Sequence, residues 1–428
     1  MAALVVILWP VLLYVVASRT VSSERTTRIF GYVLAAYALR ILAAAFVVRE
    51  FAFFSHGVAG GDSKVYEFTA NEIAALWRAN GVSFISEGSF TLLFDIRQVA
   101  LHVNLLGLVS YVTDGSMVAM ASVLAFCAGG TGLALHRFCR DLGATEVGAE
   151  RAMLLVLFSP SFVFHTSDTY KDGLNALLVL VAVALASRIA RKPRVFEIAL
   201  LLPTLWALWY VRRYMVFMCA VPLVFGVLNP ERGSIVRTLL ISAVIVVVAA
   251  LGSSSLISSE AGETAMALFD RGTDSTVMSW NARGGSGVVI EGDGAGSIGL
   301  KLIYTLFSPF LWAGGSFGMH VGKIDTVIWY YTLFHAWRTL RDYWSTKRKD
   351  LLPLLVFAIP ATYAYALSFS NVGLIFRQRL PIVIIITAIA SVSWSHVAEA
   401  TPARIPLRRR PSAPPSPSLA PRLSRRRG

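Results

Sequence analysis

In the polar run Gly60-Gly61-Asp62-Ser63-Lys64-Val65-Tyr66-Glu67, a carboxylate stands at the head of an amphipathic helical stretch that continues to Trp77. Asp62 can cap that helix by accepting from the N–H groups of its first turn. Held at a membrane surface, the same carboxylate is also placed to act as a general base or a metal ligand. Glu67 lies five residues on and misses the i, i+4 face, which ranks it below Asp62. A second run, from Phe158-Ser159-Pro160-Ser161 through His165 to Thr169-Tyr170-Lys171-Asp172, starts with a proline inside an apolar segment and ends where the next helix begins. Asp172 at that N-terminus matches the sign of the helix macrodipole, so capping accounts for it. Lys171 is less easily explained, because a cation beside the positive end of a helix is mildly unfavourable unless it binds an anion. His165 reads as a packed polar residue more than as a ligand. The third group is arginine: Arg212, Arg213, Arg271, Arg283, Arg377 and Arg379 fall in connections between apolar segments. Singly they can snorkel. Gathered at one depth, guanidinium groups grip a phosphate or pyrophosphate bidentately.

The elements that carry these residues are apolar. Of 428 residues 56% are hydrophobic and 15% charged, with a mean hydropathy of +0.63, against about 25% charged in a soluble domain. Apolar windows of about 18 residues or more recur along the chain, each long enough for a hydrocarbon core about 30 Å thick. The expected fold is therefore all-α, a polytopic integral membrane protein of about ten or eleven transmembrane helices. The stretch 2–17 lacks a basic n-region and a small-residue cleavage site, and reads as a first span. The net charge of +14 does not indicate nucleic acid, because eight arginines and no acid lie in a Pro/Ser-rich tail after Thr401. That tail, 397–428, reads as a disordered cytoplasmic segment touching anionic lipid. Cys127, Cys139 and Cys219 form no Cys-x-x-Cys pair, and no Walker-type Gly-Lys-Ser/Thr accompanies the glycines of 283–299, so neither a zinc site nor a nucleotide domain is expected.

Basic loops stay cytoplasmic. Placing 19–28, 137–151, 188–194, 231–237 and 338–349 inside gives spans near 2–18, 29–49, 114–135, 152–166, 173–190, 195–211, 214–229, 235–252, 321–337, 351–369 and 379–396. The N-terminus is then outside and the tail inside a cytoplasmic membrane. Two long outer loops follow, at about 50–113 and 253–320, each holding an amphipathic piece that does not cross. The segment 90–112 reads as interfacial because it carries Asp95, Arg97, His102 and Asn104, whereas 300–317 is broken by Pro309 and by Gly314-Gly315. The outer face then receives Asp62, Lys171, Arg212, Arg213, Arg283, Arg377 and Arg379.

At these residues the chain resembles a known group. The elements are Asp62-Ser63 with Tyr66, Pro160-Ser161 followed by Lys171-Asp172, and Asn371-x-Gly373 followed by Arg377-x-Arg379. Together they are similar to bacterial membrane glycosyltransferases of the GT-C type, including the dolichyl-phosphate-mannose protein mannosyltransferase-like enzymes. The resemblance implies transfer of a sugar from a polyprenyl-phosphate carrier to a glycan, lipid or protein acceptor on the outer face, with Asp62 as base. Tyr66, Lys171, Asp172, Arg212, Arg213, Arg283, Arg377 and Arg379 would then contact the substrates. No organic cofactor is expected. A divalent metal is compatible with the chemistry, but the sequence departs from the family pattern in lacking a paired acid beside Asp62. The competing readings are a polysaccharide polymerase or ligase, and a transporter or flippase of lipid-linked glycans, for which no internal repeat is visible.

Overall fold

The computed structural model describes residues 1–47, 62–86, 96, 99–192, 194–227, 295–314, 317–368 and 377–400. Among them every regular element is helical. In chain order the helices are α1 (Ala2–Thr20), α2 (Ser23–Leu42, extended by a π turn over Ala43–Val47), α3 (Asp62–Asn80), α4 (Ala100–Thr113), α5 (Met117–Asp141) and α6 (Glu146–Leu157). There follow α7 (Pro160–Thr166), α8 (Asp172–Arg191), α9 (Val195–Trp209), α10 (Arg213–Val227), α11 (Ala295–Phe307), α12 (Phe317–Ser368) and α13 (Leu380–Ala400).

Among the described residues four helices are long and apolar enough to cross a membrane: α1, α2 with its π turn, α5 and α8. A fifth crossing results if α6 and α7 form one span, bent by 57°. The expected spans at 2–18, 29–49, 114–135, 173–190 and 152–166 overlap these helices, with ends displaced by up to six residues. α9 and α10 have 15 residues each and a proline inside, Pro203 and Pro222, and reach about 22 Å at 1.5 Å per residue. The expected spans at 321–337 and 351–369 fall within α12, on either side of Lys347, whose φ of −116° and ψ of 16° interrupt the helix. The span at 235–252, the outer loop from 253 to 294 and the tail from 401 lie outside the described residues.

α5 is the central helix, with 78% of its apolar window buried against 11% for α1. Its glycines allow that. A Cβ on Gly129 would come within 2.8 Å of Leu13, and one on Gly132 within 2.8 Å of Leu157, so α1 and α6 close directly on α5. Around the outside, Leu4, Ile7 and Val11 of α1 and Phe334 and Ile359 of α12 are exposed. An exposed apolar belt of this kind is what lipid contact requires.

The ends of the bundle differ. At one end the basic clusters meet: Arg25 lies 4.0 Å from Glu146, Arg140 3.0 Å from Glu146, and Arg191 3.2 Å from Asp350. Arg28 pairs with Glu150 and Arg188 with Asp141, while Lys347 Nζ donates to the Leu142 carbonyl at 2.7 Å. α8 starts at Asp172 and ends at Arg191 in this cluster, so Asp172 lies about 30 Å away at the other end.

Of the segment expected to be interfacial, 90–95, 97 and 98 lie outside the described residues, and 100–112 falls in α4. His102 and Asn104 are buried, not turned to a polar surface. Asn104 straps the preceding chain, donating through Nδ2 to the Ile85 carbonyl at 2.8 Å and accepting from the Ile85 N–H at 3.0 Å. Polar residues that resemble a solvent face are here the hydrogen-bond partners of distant backbone. The expected break in 300–317 is present, since α11 stops at Phe307 ahead of Pro309.

Candidate functional site

At the end of the bundle opposite the basic clusters, the starts of α3 and α8 meet the turn between α9 and α10 and the residues leading into α13. Arg377 is the hub. Its Nε donates to Asp172 Oδ2 at 2.5 Å and its Nη1 to Asp62 Oδ2 at 2.8 Å. Its guanidinium carbon lies 4.6 Å from the centre of the Tyr170 ring. The second oxygen of Asp172 accepts from Arg212 Nη2 at 3.2 Å. Arg212 Nη1 also donates to Gln378 Oε1, which receives the Tyr214 hydroxyl at 3.3 Å. Burial alone would favour loss of the Arg377 proton, but the Asp172 and Asp62 carboxylates outweigh it and hold the guanidinium charged. The two acids differ sharply: the Asp172 side chain is 2% exposed and that of Asp62 54%. Asp172 is a structural bridge between two arginines, and Asp62 offers an open edge to an incoming molecule.

Lys171 stands beside this network without belonging to it. Among the described residues no carboxylate or hydrogen-bond acceptor takes its ammonium group, which lies 6.0 Å from the centre of the Tyr66 ring. Burial first, and then repulsion from Arg212 and Arg377, lower its pKa to about 7, against the opposing pull of Asp172 and Asp62. Tyr66 sits one turn after Asp62 on the same face of α3, buried, with its ring edge-on to His102 at 5.1 Å.

The segment carrying Lys171 is held by residues that the sequence did not single out. Thr169 donates its hydroxyl to the Ser63 carbonyl at 2.7 Å, and its own carbonyl meets His102 Nε2 at 2.7 Å. Asp168 accepts from the Thr169 N–H at 2.7 Å, and burial raises its pKa. A polar run beside a membrane is ordinary, and nothing in the spacing marks Thr169 or His102 as partners. The one available signal was Gln378, an amide lodged between two arginines.

Asp62, Tyr66, Lys171, Asp172, Arg212 and Arg377 thus come together, whereas two of the expected arginines do not. Arg213 points away, over the Trp209 ring at 5.1 Å, and its buried Nε has no hydrogen-bond partner among the described residues. Arg379 is two residues from Arg377 and projects elsewhere: it lies 5.7 Å from the Trp329 ring and donates to the Thr305 carbonyl at 3.3 Å. It borders a separate cavity of about 30 Å³ with Ser159, Ser161 and Asp325, room for one or two waters. Arg283, Asn371 and Gly373 lie outside the described residues. Among the described residues no three His, Cys, Asp or Glu side chains are grouped to hold a metal ion, and Asp62 and Asp172 both turn toward Arg377.

No protein-family model, curated protein or solved structure matches the chain.

Proposed function

We propose that this chain is a polytopic membrane glycosyltransferase that moves a sugar from a polyprenyl-phosphate carrier to an acceptor at the outer face of a cytoplasmic membrane. The observation that carries the reading is the convergence of Lys171, Arg212 and Arg377 around an exposed carboxylate, Asp62. The two arginines are already engaged by carboxylates, so Lys171 is the cation left over for an anion, with the arginines close enough to share it. A polyprenyl phosphate supplies that anion together with a hydrocarbon chain that the apolar belt can accommodate. In the transfer step the bond from the anomeric carbon to the donor phosphate oxygen breaks. A bond from that carbon to the acceptor hydroxyl oxygen forms, the acceptor proton passes to Asp62, and the electron pair leaves on the polyprenyl phosphate. Cations preorganised around the departing oxygen stabilise the charge that develops there.

The finer topology belongs to this reading: eleven spans, an outer N-terminus, a cytoplasmic tail and two long outer loops. It is supported by the meeting of the basic clusters at one end and by the placement of the candidate site at the other. One observation favours a transporter of lipid-linked glycans instead, namely the bent α6–α7 span, since broken helices often line transport sites. Mass spectrometry of lipid-linked sugars in a deletion strain separates the readings. Accumulated donor with a missing glycan branch supports transfer, and accumulated single repeat units support polymerisation. Accumulation confined to the inner leaflet supports transport, and an unchanged lipid-linked pool sinks all three.

A further inference from the structure

The bend between α6 and α7 is held from two sides by opposite charges. Pro160 has no N–H to give to the preceding turn, and the Ser161 N–H, which a continuous helix would direct to the Leu157 carbonyl, goes to Asp325 Oδ2 at 2.5 Å. The Ser159 hydroxyl donates to the other oxygen of Asp325 at 2.6 Å. Asp325 reaches in from α12. On the opposite side, Arg40 of α2 gives Nη2 to the freed Leu157 carbonyl at 2.9 Å and Nε to Thr166 Oγ1 at 2.6 Å. Its Nη1 returns to the Ala36 carbonyl of its own helix at 2.9 Å, and its plane lies 5.2 Å from the Phe162 ring. Leu157 precedes α7 and Thr166 ends it, so one planar guanidinium is hydrogen-bonded to both sides of that short helix.

Such a group is costly to keep. Arg40 is 1% exposed and has no carboxylate within ion-pair distance among the described residues. A buried charge within an apolar span is normally retained for a function. Arg40 does not touch the Lys171 cluster, but Thr166 does lead to it. A Cβ added at Gly173 would come within 2.9 Å of Thr166 Cγ2, so the end of α7 packs directly on the head of α8 beside Asp172.

We propose that Arg40 and Asp325 are positioning residues, a two-sided clamp that fixes the bend of the α6–α7 span and so sets where Lys171 and Asp172 stand. The clamp is a property of the fold. Only its purpose rests on the anion-binding reading of Lys171 given above.

The test reads Lys171 directly, by mass spectrometric quantification of its acetylation in the purified full chain as a function of pH. The charged and titratable groups facing Lys171 are Arg212, Arg377, Asp62, Asp172, Tyr66 and His102, and all are left in place. In the wild type the midpoint is expected near 7. In folded Arg40→Met the segment relaxes, water reaches the ammonium group, and the midpoint rises by about one unit or more toward the ordinary lysine value of about 10.4. Arg40→Lys gives the same rise, because a point ammonium cannot reach Leu157 and Thr166 together. Asp325→Asn, with one acceptor oxygen in place of two, shifts the midpoint in the same direction. A folded Arg40→Met protein with the wild-type midpoint overturns the clamp. Should that variant fail to accumulate, Thr166→Val, which removes one arm only, decides the matter: a small rise supports the clamp and no rise overturns it. Binding of polyprenyl monophosphate to the wild-type protein is measured separately. A protein that shows the Lys171 shifts but never binds that lipid keeps the clamp and loses the glycosyl-transfer reading.

Discussion

Asp62 and Asp172 share one arginine, yet their replacement should fail in different ways. Asp62→Asn removes basicity from a half-open side chain while keeping its size, so the protein should fold and turnover should fall by about 10²- to 10⁴-fold, the usual worth of a general base. Asp172→Asn leaves Arg212 and Arg377 buried without the carboxylate between them. Breaking a buried pair typically costs about 3–5 kcal/mol, so this variant should lose folded protein first, read as a lower Tm in detergent. Near wild-type transfer by Asp62→Asn would remove it as the base. Lys171 predicts a pH dependence of its own. With a free pKa of about 7 and an anion favouring the charged amine, binding takes up a proton above neutrality. Affinity for polyprenyl monophosphate, whose own second ionisation lies near pH 6, should therefore fall above pH 7 by up to about tenfold per unit, and Lys171→Ala should flatten that fall. A profile unchanged by Lys171→Ala would place the anion elsewhere. At this scale the sequence was informative about residue type: an unexplained lysine at a helix start and arginines outside the basic loops did signal the cluster. It could not separate Arg377 from Arg379, since only the turn into α13 decides which guanidinium faces Asp172.

Elements were legible wherever a single property defines them. Long apolar runs gave α1, α2, α5 and α8, and Pro160 gave the break between α6 and α7, because a missing N–H acts locally. The partners of the polar residues of α4 were not legible, for the opposite reason. His102 and Asn104 bond to Thr169 and Ile85, 67 and 19 residues away, and no helical periodicity reports a partner so distant. Close helix approach is likewise invisible in composition, and it yields a stability prediction. Gly148 of α6 lies against α13, where an added Cβ would stand 2.4 Å from the Ser391 carbonyl oxygen and 2.5 Å from Ser395 Oγ. The serine hydroxyl can turn aside, but the backbone carbonyl cannot. Gly148→Val should force the two helices apart and cost about 1–3 kcal/mol, read as a lower Tm in detergent, whereas Gly31→Ala, which meets nothing within 4 Å, should be nearly silent. Equal effects from the two substitutions would mean that α6 and α13 are not in contact here.

For the whole molecule, the loop charges and the ion pairs make one argument about orientation. Arginines from 25–28, 137–140 and 188–191 reach the same end of the bundle and interlock there through Glu146, Glu150, Asp141 and Asp350, and Lys347 joins them through the Leu142 carbonyl. In the orientation proposed above, the positive-inside rule makes that end cytoplasmic. Asp172, Lys171 and Asp62, about 30 Å away along α8, are then outside. The inference depends on parity, and therefore on α4 and α11, with 14 and 13 residues, not crossing. A test needs no knowledge of substrate. Cys127, Cys139 and Cys219 are buried, so a single new cysteine reports its own side of the membrane. Lys64 and Ser345 are both exposed, one beside the candidate site and one in the basic segment of α12. Lys64→Cys should react with a membrane-impermeant maleimide in intact cells, and Ser345→Cys only after permeabilisation. The reverse pattern would turn the molecule over and place the Lys171 cluster in the cytoplasm. Labelling of both in intact cells would show that α8 does not separate two aqueous compartments, and the chain would then have no outer face on which a lipid-borne donor and its acceptor could meet.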